Sequence, residues 1–259
     1  MANTIGYGQG AVNNTNAWGQ GAKVGSSFSN TQSVEFDGVD DYINVSDNAN
    51  LSFGDSVNDS PFSISAWVKC NSGDVVQIAN KRTSDYNLEY HFVKTPSDKI
   101  FFRTFDGARL NRRGRETSVL TTELNDWFHV CATYNGVGGT NADLGMKIYV
   151  NGTRLDNTSI NLNTYTAMHN TNAPFRVGNY STSYGVGKVD ELAIFNSELS
   201  ASDVTNIYNS GVPNDISSIS GLVSWWRFEG TGTTATDSGS GGNDGTLTNG
   251  VTRSSDVPT

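Results

Sequence analysis

The 259-residue sequence predicts an all-β fold, a two-sheet antiparallel jelly-roll sandwich with one short helix. Three observations carry that prediction. Apolar and polar residues alternate with the two-residue period of a strand, as where Phe62, Ile64, Ala66, Val68 and Cys70 interleave with Ser63, Ser65, Trp67 and Lys69. Glycine (28 residues) outnumbers lysine and arginine together (17), and Asn, Ser and Thr are plentiful, a profile of frequent turns rather than of helices. Asn151-Gly152 sits between two short strand-like runs, the strongest hairpin signal in the chain.

The elements follow in order. Residues 34–45 hold two short strands separated by a tight turn at Asp37-Gly38. After the alternating strand at 62–70, runs at 75–79, 88–93 and 100–105 read as strands, then 127–134, closed by Asn135-Gly136. Residues 147–150 and 153–155 flank Asn151-Gly152, and 175–177 and 188–195 complete the series. The short spacing suits an antiparallel sandwich. One helix is expected after Ser200, which caps it, with Asp203 completing a capping box. Val204, Ile207 and Tyr208 share one face of it, and Gly211 and Pro213 stop it.

Five blocks in fixed order, SVEFDGVDDYINV, PFSISAWVK, NDWFHVCATYNG, KIYVNGTRL and KVDELAIFNSELS, resemble the laminin-G-like branch of the concanavalin A-like lectin/glucanase superfamily. The resemblance is sharpest at LAIFNSELSASDVTNIYNSG, and it implies a final strand followed by a short helix sealing one end of the sandwich. One block departs from the pattern. In such domains a segment like GLVSWWRFEGTGTTATDSGSGGNDGTLTNG precedes the FDGVDDYI strand, whereas here it follows the helix. It is either the opening of a second, truncated domain or the missing strand of this one, returning from the far end. Leu222, Val223, Trp225, Trp226 and Phe228 are too apolar for an exposed tail, which favours a returning strand beside 188–195. The expected division is a Gly-rich docking arm at 1–30, a sandwich at 31–250 and a tail at 251–259.

Bulk properties narrow the function. The net charge of −9 argues against nucleic acid as a partner, and the lack of an apolar run of membrane-spanning length argues against a membrane. MANTIGYGQG lacks the charged start and apolar core of a secretory leader, so export by that route has no support. Two cysteines, Cys70 and Cys131, cannot make a disulfide scaffold and are expected as buried thiols.

Residues 1–27 contain an imperfect repeat, Tyr7-Gly8-Gln9-Gly10-Ala11 and Trp18-Gly19-Gln20-Gly21-Ala22. The bland reading is a flexible leader. The segment is also similar to leaders of marine bacteriophage virion proteins. That resemblance implies a non-enzymatic structural protein located in the virion, a capsid decoration or tail-fibre component. It would be homo-oligomeric, contact other virion proteins and be anchored by Tyr7 and Trp18. The superfamily implies two alternatives, a carbohydrate-binding adhesin for host surface glycans and a glycoside hydrolase.

Candidate site residues fall into groups. Asp37, Asp40, Asp41 and Asp190 offer the hard oxygen ligands of a structural Ca²⁺, although aspartates at turns also bond turn amides. Arg103, Arg109, Arg112, Arg113 and Arg115 crowd what reads as a loop, where guanidinium groups suit an anionic glycan or an acidic neighbour; a solvated charged loop is the bland reading. Trp67, Tyr90, Phe92, Tyr180 and Tyr184 would form a sugar platform if they shared a face. The glucanase pattern Glu-x-Asp-x-x-Glu appears only as Glu35-x-Asp37-x-x-Asp40, broken by the turn, and Asp190 and Glu191 are neighbours expected on opposite faces. His91, His129 and His169 show neither metal-ligand spacing nor a triad-like arrangement with Ser or Cys.

Overall fold

The computed structural model describes residues 28–259. Tyr7, Trp18 and nearly all of the arm expected at 1–30 lie outside the described residues. In chain order the strands are β1 (Ser33–Asp37), β2 (Tyr42–Val45), β3 (Phe62–Lys69), β4 (Val76–Ser84), β5 (Asn87–Lys94), β6 (Ile100–Phe105), β7 (Arg112–Thr117), β8 (Trp127–Tyr134), β9 (Met146–Val150) and β10 (Thr153–Arg154). There follow β11 (Asp156–Leu162), β12 (Phe175–Val177), β13 (Asn179–Tyr180), β14 (Ser183–Tyr184), β15 (Val186–Phe195), the helix α1 (Ala201–Tyr208), β16 (Leu222–Trp226), β17 (Thr234–Ala235), β18 (Gly245–Thr248) and β19 (Thr252–Ser254).

Two antiparallel sheets face each other. The first runs β10-β9-β8-β3-β15-β1-β19, with β16 also on β15; the second runs β11-β7-β6-β5-β4-β12-β2-β18-β17. The inward residues of both, among them Phe36, Phe62, Tyr90, Phe92, Phe102, Phe175 and Trp226, form one buried core. Burial of this apolar surface is the main stabilising term, about 25 cal/mol per Å². The Asn151-Gly152 hairpin forms as expected, with both residues at positive φ (47° and 74°) between β9 and β10.

The Asp37-Gly38 turn falls between two short strands as expected; β1 pairs in the first sheet and β2 in the second, so the turn carries the chain across the sandwich and closes no hairpin. Two readings of the sequence are corrected. α1 has the expected Ser200–Asp203 capping box but ends at Asn209 in the left-handed conformation, before Gly211. Its Val204 and Ile207 pack with Phe195, Tyr149 and Trp225 on the outer side of the first sheet rather than at one end of the sandwich.

The C-terminal block returns as expected. Leu192, Ala193 and Ile194 of β15 pair with Trp226, Trp225 and Ser224 of β16. Adjacent strand residues face opposite sides, so Trp226 enters the core, stacked on Phe175 at 5.0 Å, while Trp225 lies under α1. The block also supplies β17 and β18 to the second sheet. Residues 251–259, read as a tail, contribute β19 beside β1 instead. There Asp256 ion-pairs with Lys69 (3.0 Å) and Lys188 (2.8 Å) and accepts the Trp127 indole N–H at 2.9 Å, which together hold its carboxyl down at about 2.

β15 is the seam of this arrangement. Along one edge it pairs with β1 at residues 186–189 and with β16 at 192–195. Between them, just after Asp190, a β-bulge falls at Glu191–Leu192, with Glu191 at φ 47°. The bulge overrides strict alternation and both carboxyls are buried, correcting the opposite-face expectation. Asn30, just before β1, donates to Asp190 Oδ2 at 2.8 Å; Trp225 Nε1 donates to Glu191 Oε2 at 2.5 Å; Arg227 Nε lies 3.5 Å from Glu191 Oε1. Glu229 accepts from the Thr31 amide at 2.5 Å. Residues 28–30, expected in the arm, thus belong to the sandwich, with Phe28 stacked on Trp225 at 6.1 Å.

Candidate functional site

At the corner between β1 and β2 the chain must reverse between sheets, and Gly38 makes this possible. Its φ is +84°, and a Cβ there would fall 2.4 Å from Val186 Cγ2, so no other residue fits. The aspartates around it shape the turn. The Val39 amide donates to Asp37 Oδ1 at 2.8 Å, and the Asp37 amide donates to Asp41 Oδ2 at 3.1 Å.

These bonds bring three carboxylates together: one oxygen each from Asp37, Asp40 and Asp41 lies within 4.8 Å of the others. Asp37 and Asp40 are exposed, whereas Asp41 is 3% exposed. Asp41 Oδ1 is buried without a hydrogen-bond partner. Desolvation, with the like charges of Asp37 and Asp40, raises the Asp41 carboxyl above its ordinary range. The Asp40 carbonyl oxygen is bonded by Asn249 Nδ2 at 3.1 Å, tying the C-terminal block to the corner. Asp37 also lines a polar cleft of about 300 Å³ with Glu35, Lys69, Asn71, Asp74 and Lys188.

A group of carboxylates with one buried oxygen lacking a donor is poorly satisfied by protein alone. A hard divalent cation answers both the repulsion and the missing partner, and Ca²⁺, which tolerates irregular oxygen coordination, fits this donor set. Asp190, read from sequence as a companion ligand, lies elsewhere. Asp37 pairs with Val186, and Asp190 is four positions further along β15, about 13 Å away at strand rise.

The arginines separate along β7, which is a strand and not the loop read from sequence. Arg113 is buried and donates to the carbonyls of Arg112 (2.9 Å) and Asn163 (3.0 Å). Arg115 chelates Asp156 through Nε (3.0 Å) and Nη2 (2.6 Å). Arg112 points to the other face with Arg103 of β6, and Arg109 lies 3.6 Å from Asp85 in an ion pair.

The aromatic residues do not form one platform. Tyr90 and Phe92 are core; Trp67 lies under α1, stacked on Tyr208 at 5.9 Å; Tyr180 lies over His91 on the second sheet. Two arrangements escaped sequence reading. The β3–β8 register places Ser65 Oγ 2.7 Å from His129 Nε2, but both are fully buried, the imidazole is pushed down to about 3, and its Nδ1 has no partner, so the pair is a cross-strand hydrogen bond closed to substrate. Likewise Lys81 of β4 and Glu89 of β5 form a buried ion pair at 3.2 Å. Cys70 and Cys131 are free and buried, and burial pushes the Cys70 thiol up to about 11.

Comparisons place this geometry in a family. Residues 37–205 match the laminin G-like profile described as the concanavalin A-like lectin/glucanases superfamily. Among solved structures, the chain is similar to a proposed carbohydrate-binding protein from Bacteroides ovatus ATCC 8483, at 17% identity and TM-score 0.59, over 89% of this chain and 62% of that one. The chain therefore spans less than two thirds of that protein. It is also similar to a heptameric SAP-like pentraxin from Limulus polyphemus, at 13% identity and TM-score 0.55, over 86% of this chain and 94% of that one. At these identities the likeness is one of fold. No curated protein matches the chain by sequence. The matched profile, covering most of the chain, together with the two-sheet sandwich, shows that the chain belongs to the concanavalin A-like lectin/glucanases superfamily, in its laminin G-like branch.

Proposed function

We propose that the protein is a non-enzymatic carbohydrate-binding module, an adhesin for surface glycans, with Ca²⁺ held at the β1–β2 corner. The observation that carries this reading is the buried, unpartnered Asp41 Oδ1 within the Asp37–Asp40–Asp41 cluster, on the rim of a polar cleft. Asp37, Asp40 and Asp41 would hold the ion, which supplies open coordination positions for ligand oxygens when bound. Glu35, Asn71 and Asp74 in the adjoining cleft offer the acceptors and donors that orient hydroxyl groups. The carbohydrate-binding description of the Bacteroides relative agrees with this reading.

Hydrolysis is the weaker reading. It needs two carboxyls flanking an accessible bond, and the adjacent pair Asp190–Glu191 is enclosed by Asn30, Trp225 and Arg227. A place on a phage particle, as decoration or fibre component, is compatible with glycan binding; the repeat around Tyr7 and Trp18 alone supports that part of the proposal.

The test is a panel of neutral and charged glycans probed with the full chain in millimolar Ca²⁺ and again in EDTA. Ca²⁺-dependent retention that is lost in Asp37→Asn/Asp41→Asn supports the reading. Retention of no glycan in Ca²⁺, or retention indifferent to both EDTA and the substitutions, sinks it.

A further inference from the structure

The outer face of the second sheet carries a row of polar residues at matching register. Asn44 of β2 pairs with Arg176, Arg176 with Asn80, Asn80 with His91, His91 with Arg103, and Arg103 with Gly114. Gly114 leaves room for its neighbour: a Cβ there would lie 2.9 Å from Arg103 Cγ. Arg103 can therefore lie along the sheet, its guanidinium 4.5 Å over the Phe101 ring. Arg112 opposes Phe105, two positions from Arg103 on the same face, so the two arginines are diagonal neighbours about 7–8 Å apart.

The β13–β14 hairpin closes over this row. The Tyr180 ring stacks on His91 at 3.9 Å, and the Arg82 guanidinium lies 4.5 Å over the Tyr180 ring. Arg82 is only 7% exposed; Nη2 reaches Asp85, but Nε and Nη1 have no acceptor. Nε of Arg103 and Nε of Arg112 are likewise buried without acceptors. The mutual repulsion is felt: burial first, then Arg112 and Arg109, push the Arg103 guanidinium down to about 10. Beside the cluster, Arg109, Tyr86 and Leu110 line a cleft of about 370 Å³, and Tyr86 is 85% exposed.

Arg82, Arg103 and Arg112 keep unused buried donors at close quarters, although Arg82 and Arg109 share Asp85 and Arg112 Nη1 donates to the Arg109 carbonyl at 3.2 Å. Arg113 and Arg115, one face away, show the alternative, since each is satisfied by internal acceptors. From this contrast we infer that Arg82, Arg103, Arg109 and Arg112, with Tyr180 and Tyr86, form a second binding site, which takes an oxyanion carried on a glycan, a sulfate ester or a uronate carboxylate. Guanidinium forks bind such groups through paired N–H donors, and an exposed tyrosine ring packs on the sugar that carries them. The inference rests on the glycan-binding reading for its carrier but uses none of the residues of the acidic corner.

The experiment measures affinity of the full chain, at fixed NaCl, for heparin, for polygalacturonate and for the neutral glycans of the panel. Wild type should bind heparin or polygalacturonate, the stronger of the two identifying sulfate or carboxylate as the group. Arg103→Gln/Arg112→Gln should weaken that binding about tenfold or more and flatten its salt dependence, leaving Ca²⁺-dependent neutral binding intact. If the double variant melts lower, Arg112→Gln alone, at the half-buried first position of β7, gives the same comparison in a folded chain. Neutral glycans bound with neither anionic polymer bound would overturn this inference and spare the reading of the corner. Anionic polymers bound equally by wild type and variants would also overturn it, and no binding to any polymer would bring down both.

Discussion

Two groups of neighbouring carboxylates lie within one sandwich and are treated in opposite ways. Asp190 and Glu191 are enclosed among partners: Asn30 from the approach to β1 and Trp225 from β16 donate hydrogen bonds, and the Arg227 guanidinium faces Glu191 Oε1, which no hydrogen bond reaches, as an opposite charge at 3.5 Å. Asp37, Asp40 and Asp41 share a turn, repel one another, and leave Asp41 Oδ1 without a donor. The residue types are the same. The difference is whether the chain itself brings an opposite charge to the group. Where it does, the carboxylates tie β1 and β16 to β15; where it does not, they remain a repulsive cluster at the turn, the one proposed to hold Ca²⁺.

The comparison breaks first at β16, which builds the enclosed site. Removing residues 221–259 takes away Trp225, Arg227 and three further strands, β17 to β19. The expected outcome is loss of folding, read as absence of a cooperative thermal transition and of near-ultraviolet circular dichroism. A soluble truncation that melts cooperatively would show that the block is accessory. Trp226→Ala is the milder form of the same test. The side chain is 1% exposed and stacked on Phe175, so the substitution should destabilise by about 3–5 kcal/mol in urea unfolding. Trp225→Ala should cost less of the core but should release Glu191.

The enclosed pair also predicts a pH dependence. Burial outweighs Arg227 and Trp225 and raises Glu191 from 4.5 to about 7, and Asp190 is raised as well. The folded chain then binds more protons than the unfolded one between those values. Stability contributed here is complete below about pH 4.5 and is lost as pH rises through about 7. Glu191→Gln should remove up to about 3 kcal/mol of that decline, so the variant gains on wild type between pH 5 and pH 8. An equal loss at both pH values would mean that the geometry of Glu191, and not its charge, is what the seam requires.

Much of this was readable before the fold was known. The alternating strands, the Asn151-Gly152 hairpin, the Ser200 cap and the return of β16 all follow from local chemistry. What could not be read has physical causes. RRGRET and DNTSINL of β7 and β11 lack an apolar face, because the inward arginines are satisfied by carbonyls and by Asp156 and not by a greasy core. The crossing at Asp37-Gly38 looks like a hairpin because a turn has the same composition whichever sheet receives the next strand. The bulge after Asp190 follows from two strands meeting end to end on β15, a tertiary fact with no local signature. The oxyanion-site arginines were half visible: the cluster shows in sequence, but only the register of β5, β6 and β7 sorts Arg103 and Arg112 from Arg113 and Arg115.

The smallest expected effect lies at the open corner and tests the other half of the comparison. Asp41→Asn removes one of three like charges and places an amide where Asp41 Oδ2 accepts from the Asp37 backbone, a bond the amide oxygen can keep. Without divalent cations the change in stability should therefore be within about 1 kcal/mol, and of stabilising sign, since burial and the like charges of Asp37 and Asp40 oppose ionisation of Asp41. With millimolar Ca²⁺ the order should reverse: ligand linkage raises the melting temperature of wild type and leaves the variant where it was. If Ca²⁺ shifts both melting curves equally, the cation acts elsewhere and the corner is only a turn. If it shifts neither, the three aspartates are a repulsive cluster that the fold tolerates, and the contrast with Asp190 and Glu191 reduces to burial alone.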